Sequence, residues 1–169
     1  MKVFALFALL ASSAFAAELP APDKNDTCAG NPNRAIYLRE LDLVVNQRKF
    51  EYIDELFAPD YRNNSAPPGA AQGPAAIREY LTLLTGAFPD RKVTNIGMIC
   101  AGDFVIVRSR VTGTSTGPYF GQPPTGKSSS VEGTDIYLIK DGKFRARWGN
   151  EDALGMMQQL GYIAGGRPR

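Results

Sequence analysis

The spacing of apolar residues changes once along this chain, from the period of a helix to that of a strand. Before Pro89, apolar side chains recur every three or four positions, which is typical of helices with one buried face. Asn31 and Pro32 supply a cap and a first-turn proline for the first of them. A loop rich in Asn, Pro and Ala is expected over residues 61–73. Three helices are therefore predicted, over residues 32–46, 50–57 and 74–88.

Beyond Pro89 the apolar period falls to two residues, which indicates β-strands. Asp141-Gly142 is a strong signal for a two-residue hairpin, because both central residues of such a turn need positive φ. Helices followed by a meander of strands predict an α+β fold with an antiparallel sheet. The four predicted strands cover residues 93–101, 104–113, 129–140 and 143–149.

The Asp141-Gly142 turn also predicts which side chains share a face of the sheet. If the last two strands pair without interruption, Asp135 lies opposite Trp148 on an aromatic-rich face. We expect that face to be the buried, concave one, and Arg145 and Arg147 to lie on the other.

Asp135 then becomes a candidate catalytic group. Burial raises the pKa of a carboxyl group toward working pH, where it can take up a proton and return it elsewhere. The alternative is a structural role, in which Asp135 accepts hydrogen bonds from a loop or pairs with an arginine such as Arg108 or Arg110.

The N-terminus has the features of a secretory signal. Lys2 precedes an apolar run over residues 3–11, and Ala14-Phe15-Ala16 fits a cleavage site. We expect a secreted protein with a signal peptide over 1–17, an arm over 18–31, one domain over 32–163 and a tail over 164–169.

Export makes the two cysteines interpretable. In an oxidising compartment Cys28 and Cys100 are expected to form a disulfide, the alternative being a buried Cys100 and an exposed Cys28. Asn25 and Asn63 fit the acceptor pattern for N-glycosylation, which matters in a eukaryotic host.

Composition excludes several classes of site. The 169 residues contain no histidine, so histidine-dependent nucleophilic catalysis and histidine-bound metal sites are excluded. We expect no metal and no cofactor. The formal charge of +2 is spread over interleaved acids and bases, which argues against a nucleic-acid partner. No apolar stretch after the signal is long enough to predict a membrane partner.

Two segments of the last third carry a resemblance. Residues 113–126 form a Gly/Pro-rich loop that contains Tyr119 and Phe120, and residues 148–161 begin Trp148-Gly-Asn-Glu-Asp. This order resembles the SnoaL-like polyketide cyclase and ester cyclase group of the nuclear transport factor 2-like superfamily. The resemblance implies a cone-shaped, curved antiparallel sheet packed on N-terminal helices. It also implies a pocket at the open end for a hydrophobic small molecule.

The resemblance implies site residues as well. Asp152 matches the Trp-x-x-x-Asp pattern of the acid/base aspartate, although it also stands where the last helix needs a cap. Gly149 occupies a position where some members of the group place an acid. Asn64 stands where many relatives have a histidine, and it can hydrogen-bond a ligand but cannot carry a proton. The residues expected to bind the ligand are Tyr61, Asn64, Tyr119, Trp148 and Glu151.

Two functions of different classes follow from these residues. The first is cofactor-independent cyclase or isomerase chemistry on a polyketide-like carbonyl compound, with Asp152 or Asp135 transferring the proton. The second is a secreted small-molecule-binding protein that keeps the fold without the chemistry. A hydrolase or dehydratase on the same fold is a further alternative, and the exposed side of the sheet could pair two chains into a homodimer.

Overall fold

The computed structural model describes residues 26–164, so the predicted signal peptide, Asn25 and most of the tail lie outside the described residues. Helix α1 (Pro32–Arg39) begins at Asn31, whose side chain accepts a hydrogen bond of 2.9 Å from the backbone N–H of Asn33. It continues without a break as a π-helical segment, Glu40–Asn46. The predicted first helix is thereby confirmed at both ends.

Within residues 26–164, one 3-10 turn and three α-helices follow the first helix. A single 3-10 turn, Phe50–Tyr52, leads into α2 (Ile53–Leu56). Helix α3 (Gly73–Ala87) presents Leu84 and Ala87 to the core, and α4 (Ala153–Leu160) follows the last strand. No helix of the described segment is both long and apolar enough to cross a membrane.

Five strands form one sheet in the order β1-β5-β4-β3-β2. The last four strands of the chain pair as an antiparallel meander, as the apolar period predicted. The α+β fold is therefore confirmed. The strands are β1 (Phe57–Asn63), β2 (Lys92–Ala101), β3 (Phe104–Thr114), β4 (Ser128–Lys140) and β5 (Lys143–Glu151).

Strand β1 corrects the sequence prediction, which ended a helix at Phe57 and began a loop at Tyr61. The segment instead pairs in parallel with β5. Pro59 has no backbone N–H, which disfavours an interior strand but is tolerated at a sheet edge. Because β1 is the edge strand, Pro59 does not prevent it from pairing.

The register of β4 and β5 corrects the predicted faces. The pair Ile139 and Phe144 forms as predicted, but a bulge at Arg145 then shifts the pairing by one residue. A shift of one residue moves each later side chain to the opposite face. Arg147 therefore lies on the inner face, opposite Tyr137, and Trp148 lies on the outer face, where it is 40% exposed.

The core lies between the inner face of the sheet and the N-terminal helices. Val105, Ile139 and Phe144 from the sheet pack in one buried cluster with Tyr37 and Val44 from the first helix. The expected Cys28–Cys100 disulfide is present and joins the end of the arm to β2. The backbone at Asp26 also pairs with Met98 of the same strand.

Candidate active site

A cavity of about 540 Å³ opens between α3, the first helix and the inner face of the sheet. Its walls are mainly apolar, from residues such as Leu41, Ile77 and Leu81. Cavities of this size and lining hold small organic ligands, and a few polar groups fix the orientation of the ligand. In this cavity the polar groups meet at one wall, where β4, β5 and the first helix come together.

Asp135 and Arg147 form a buried ion pair in that wall. Nη2 of Arg147 lies 2.6 Å from Oδ1 of Asp135 and 3.8 Å from Oε1 of Glu151, and its Nη1 donates to Oδ1 of Asn63 at 3.5 Å. Asp135 is 7% exposed. Burial raises the pKa of its carboxyl group, and the positive charge of Arg147 opposes that increase.

The structural interpretation of Asp135 expected an arginine partner, which is present, but neither of the two arginines given as examples, Arg108 and Arg110, is that partner. Both arginines lie on the outer face and pair with Glu132. The partner is Arg147, which the sequence analysis had placed on the outer face. The bulge at Arg145 explains the difference, because it exchanges the faces of the residues that follow it.

Glu40 is a second buried acid in the cavity, and the sequence analysis missed it. It is 6% exposed and lines the cavity. Burial, reinforced by the negative charge of Asp135, raises its pKa to about 8, although Arg147 and Arg91 act in the opposite direction. A signal was present in the sequence. Glu40 lies three residues after Tyr37 and four before Val44, which places it on the apolar face of the predicted helix.

Three tyrosines complete the polar wall: Tyr37, Tyr61 and Tyr137. The rings of Tyr37 and Tyr137 lie 5.6 Å apart, and Tyr61 packs edge-on against Phe57 at 5.0 Å. Burial raises the pKa of each phenol, so all three keep their protons at neutral pH. Within residues 26–164 none of the three hydroxyls has a hydrogen-bond partner, which leaves them available to a ligand.

The arrangement places two buried carboxyl groups and an arginine in the wall of an apolar cavity, between a five-stranded sheet and helices. The family model of the SnoaL-like polyketide cyclase family matches residues 35–160 of this chain. The chain belongs to this family.

Solved structures of other proteins have the same SnoaL-like fold. TsrD from Streptomyces laurentii is 27% identical, with a TM-score of 0.71 over 78% of this chain and 96% of that one. A proposed polyketide cyclase from Bacillus cereus is 25% identical, with a TM-score of 0.71 over 88% and 97%. A proposed SnoaL-like polyketide cyclase from a Jannaschia species is 23% identical, with a TM-score of 0.71 over 85% and 99%. The chain has no detectable match among curated protein sequences.

The structure brings three of the predicted site residues of this SnoaL-like chain to the cavity: Asp135, Tyr61 and Glu151. Trp148 lies on the opposite face of the sheet, for the reason given above. Tyr119 packs against Phe88 at 5.1 Å and lies outside the lining of the main cavity, although its neighbour Phe120 is part of that lining.

Asp152 lies outside the cavity lining and caps α4. Its Oδ1 accepts a hydrogen bond of 2.8 Å from the backbone N–H of Gly155. The capping interpretation of Asp152 is therefore the one that agrees with the geometry.

Asn64 is exposed, and its backbone N–H donates to the carbonyl of Arg147 at 2.8 Å. Its neighbours Asn63 and Ser65 line the cavity instead. Asn63 is half-buried, and its Oδ1 accepts from the N–H of Ser65 at 3.1 Å. A glycan would be attached at Nδ2 of Asn63 rather than at this Oδ1, and glycosylation there stays a prediction.

Gly149 has a steric role at this site. It is the cross-strand partner of Asp135. A Cβ atom built on it would overlap Oδ1 of Asp135 and lie 2.7 Å from Cζ of Arg147. The Asp135–Arg147 pair therefore occupies the space that a side chain at position 149 would need.

Proposed function

We propose that this SnoaL-like protein catalyses a cofactor-independent cyclisation or isomerisation of a hydrophobic, polyketide-like carbonyl compound. The observation that carries the proposal is the buried carboxyl group of Asp135 in the wall of a 540 Å³ apolar cavity, held beside Arg147. A desolvated carboxylate is a stronger base than one in water, and a fixed guanidinium beside it favours its ionised form.

Each step of the proposed reaction follows from these groups. The carboxylate of Asp135 takes a proton from the carbon next to a carbonyl group, and the electrons of that C–H bond form an enolate. The enolate carbon attacks a second carbonyl carbon of the same molecule, forming a C–C bond and an alkoxide. Asp135 returns its proton to the alkoxide, so the product is an isomer of the substrate.

Family membership supports this proposal from a second direction, since the SnoaL-like family is named for polyketide cyclases. Tyr61 faces the ligand and is the residue proposed to position it. Asp152 has no part in the proposal, because its carboxylate is occupied as a helix cap.

The alternative is a binding protein on the same fold. The Asp135–Arg147 ion pair favours it, since pairing alone accounts for a buried aspartate without any chemistry. Both functions use the same cavity, so they differ in whether the ligand leaves it altered.

The test begins with native mass spectrometry, followed by denaturation to release and identify the compound carried in the cavity. That compound is then incubated with fresh wild-type protein, with an Asp135→Asn variant and with an Asp152→Asn control, which keeps a capping side chain. The proposal expects an isomer of the compound from the wild type and the control, and none from Asp135→Asn. Equal turnover by Asp135→Asn would exclude Asp135 as the base, and unchanged compound in every sample would favour the binding protein.

Secretion is part of the proposal. The signal-like N-terminus and the Cys28–Cys100 disulfide support it, because disulfides persist in oxidising compartments. Expression in the native host, with mass measurement of the protein in the medium, tests it. We expect a chain that begins near residue 18, and protein retained in the cell at full length would contradict secretion.

Pairing of two chains through the outer face of the sheet is proposed as well. Cross-strand partners form an apolar row over four strands, which consists of Ile99, Ile106, Ile136 and Trp148. All of these except Ile106 are exposed. Sedimentation is expected to show a dimer that Ile136→Lys converts to a monomer. A Leu154→Lys control alters an exposed apolar residue of α4 and should leave the dimer intact. A wild-type monomer would overturn the proposal.

A further inference from the structure

We propose that Glu40 is a second catalytic residue, whose carboxyl group donates a hydrogen bond to the carbonyl oxygen of the ligand while Asp135 acts as the base. This inference rests on the proposed function for the class of ligand, a hydrophobic carbonyl compound. It assigns a role to a buried acid that the Asp135 chemistry leaves unused.

The position of Glu40 is the first argument. The residue stands where α1 passes into the π-helical segment, and its backbone N–H bonds to the carbonyls of Ile36 and Tyr37. The side chain lines the cavity, and within residues 26–164 it has no hydrogen bond and no ion pair.

Burying a carboxyl group without a hydrogen-bond partner costs desolvation free energy. Polar groups removed from water normally find a hydrogen-bond partner inside the protein. Glu40 is more than nine-tenths buried and faces a cavity large enough for a small molecule. The carboxyl group opens on this cavity, so a bound ligand would supply the partner that the described chain does not.

The charges around Glu40 determine which form of the carboxyl group meets the ligand. Burial and the carboxylate of Asp135 disfavour ionisation, and they outweigh the favourable effect of Arg147 and Arg91, which gives a pKa of about 8. At neutral pH the group is therefore mostly a neutral acid with an O–H donor. The groups that interact with it electrostatically are Asp135 on β4, Arg147 on β5, Arg91 just before β2, and the phenols of Tyr37 and Tyr61 and of Tyr137.

A neutral acid at this place complements the proposed base. When Asp135 removes a proton from carbon, negative charge develops on the carbonyl oxygen, and a donor already in position stabilises it. One carboxyl group is paired with an arginine, which favours its ionised form, and the other lies in an apolar wall, which favours its protonated form. Pairs of carboxyl groups with such different environments divide the base and acid roles between them.

The test measures binding of two probes of nearly equal shape by calorimetry: 1-tetralone, which has a carbonyl oxygen, and tetralin, which lacks it. We expect the wild type at about pH 6 to bind the ketone about fivefold more tightly than Glu40→Met does, with tetralin binding little changed. As pH rises through the Glu40 pKa of about 8, the ketone affinity of the wild type should fall and that of tetralin should not.

Two variants separate Glu40 from its neighbours. Glu40→Gln keeps an N–H donor that does not titrate, so its ketone affinity should be independent of pH between about 6 and about 9. Asp135→Asn removes a negative charge near Glu40, so the loss of ketone affinity should move to lower pH.

Several results would overturn the inference. Ketone affinity that is unchanged in Glu40→Met, or that falls at the same pH in Glu40→Gln, excludes Glu40 as the donor and leaves the proposed function standing. Failure of the wild type to bind either probe contradicts the proposed class of ligand itself. Infrared or carbon NMR spectra measure the protonation state of Glu40 in the wild type, so they do not depend on a variant that folds. A fully ionised Glu40 at about pH 6 would also exclude it as the donor.

Discussion

Nη2 of Arg147 lies 2.6 Å from Oδ1 of Asp135, with both side chains largely buried in the wall of the cavity. Such a pair contributes little net stability when it is intact, because desolvation of the two charges offsets their attraction. Removing one partner is strongly destabilising, because it leaves the other charge buried and unpaired. The pair therefore restricts which substitutions the site can tolerate.

We predict that Arg147→Met destabilises the protein by about 3 kcal/mol at neutral pH. Without the guanidinium the pKa of Asp135 rises further, so the variant should recover part of the loss in acid, where Asp135 is protonated. Denaturant unfolding at neutral and acidic pH measures both effects. The matched control is Arg145→Met on the same strand, whose ion pairs are exposed and should contribute less than about 1 kcal/mol. Equal losses for the two arginines would contradict the prediction.

Glu40 makes stability fall as pH rises. Its pKa lies near 8 in the folded protein and at 4.5 for the unperturbed group, so between these values the folded state binds more protons than the unfolded one. The contribution is fully present below pH 4.5 and is lost through pH 8, at up to about 1.4 kcal/mol per pH unit. The pKa of Asp135 is also raised by burial, so Asp135 acts in the same direction.

Unfolding midpoints in urea at about pH 5.5 and about pH 8.5 measure this effect. The wild type should be clearly more stable at the lower value, and Glu40→Gln should reduce the difference. A difference between the two pH values that is the same in the wild type and in Glu40→Gln would show that Glu40 is ionised in the folded protein over this range.

Asp152 should behave as a cap. We predict that Asp152→Ala lowers the free energy of unfolding by about 1 kcal/mol, because the N–H of Gly155 loses its acceptor. Asp152→Asn should have a smaller effect, since asparagine caps equally well. Neither variant should change 1-tetralone binding by the folded protein. A loss of ligand binding in Asp152→Asn would return Asp152 to the candidate site.

The helices and the meander could be predicted because their signals are local. Asn31 and Pro32 mark a helix start, and Asp141-Gly142 marks a hairpin, from interactions within a few residues. Strand β1 could not be predicted in this way, because its partner β5 is about 85 residues away in sequence. Its own residues, with Pro59 among them, carry no strand signal.

Only some of the site residues could be predicted from the sequence. Asp135 was identified correctly as an inner-face acid, since it lies on β4 and its face does not depend on the bulge. The faces of Arg147 and Trp148 were exchanged because both follow the bulge at Arg145, and a single unpaired residue reverses the alternation on which the prediction depended. Glu40 was present on the apolar face of the first helix, and a search for charged residues on predicted apolar faces would have found it.

Gly149 provides the sharpest test of the geometry of the site. A Cβ at this position would overlap Oδ1 of Asp135 and crowd the guanidinium of Arg147. We predict that Gly149→Ala separates the ion pair and lowers the free energy of unfolding by about 1–3 kcal/mol. The control is Gly86→Ala in α3, where a Cβ meets nothing within 4 Å, and where alanine should be neutral or stabilising.

A double substitution identifies the cause of the loss. If the overlap with Asp135 is responsible, Gly149→Ala should cost clearly less in a chain that already carries Asp135→Ala. Denaturant unfolding of the four chains of this cycle gives the interaction energy directly. An equal cost in both backgrounds would mean that Arg147 or the strand itself, rather than the carboxylate of Asp135, requires glycine at this position. A reduced cost would show that the absence of an acid after Trp148 follows from the presence of the Asp135–Arg147 pair beneath it.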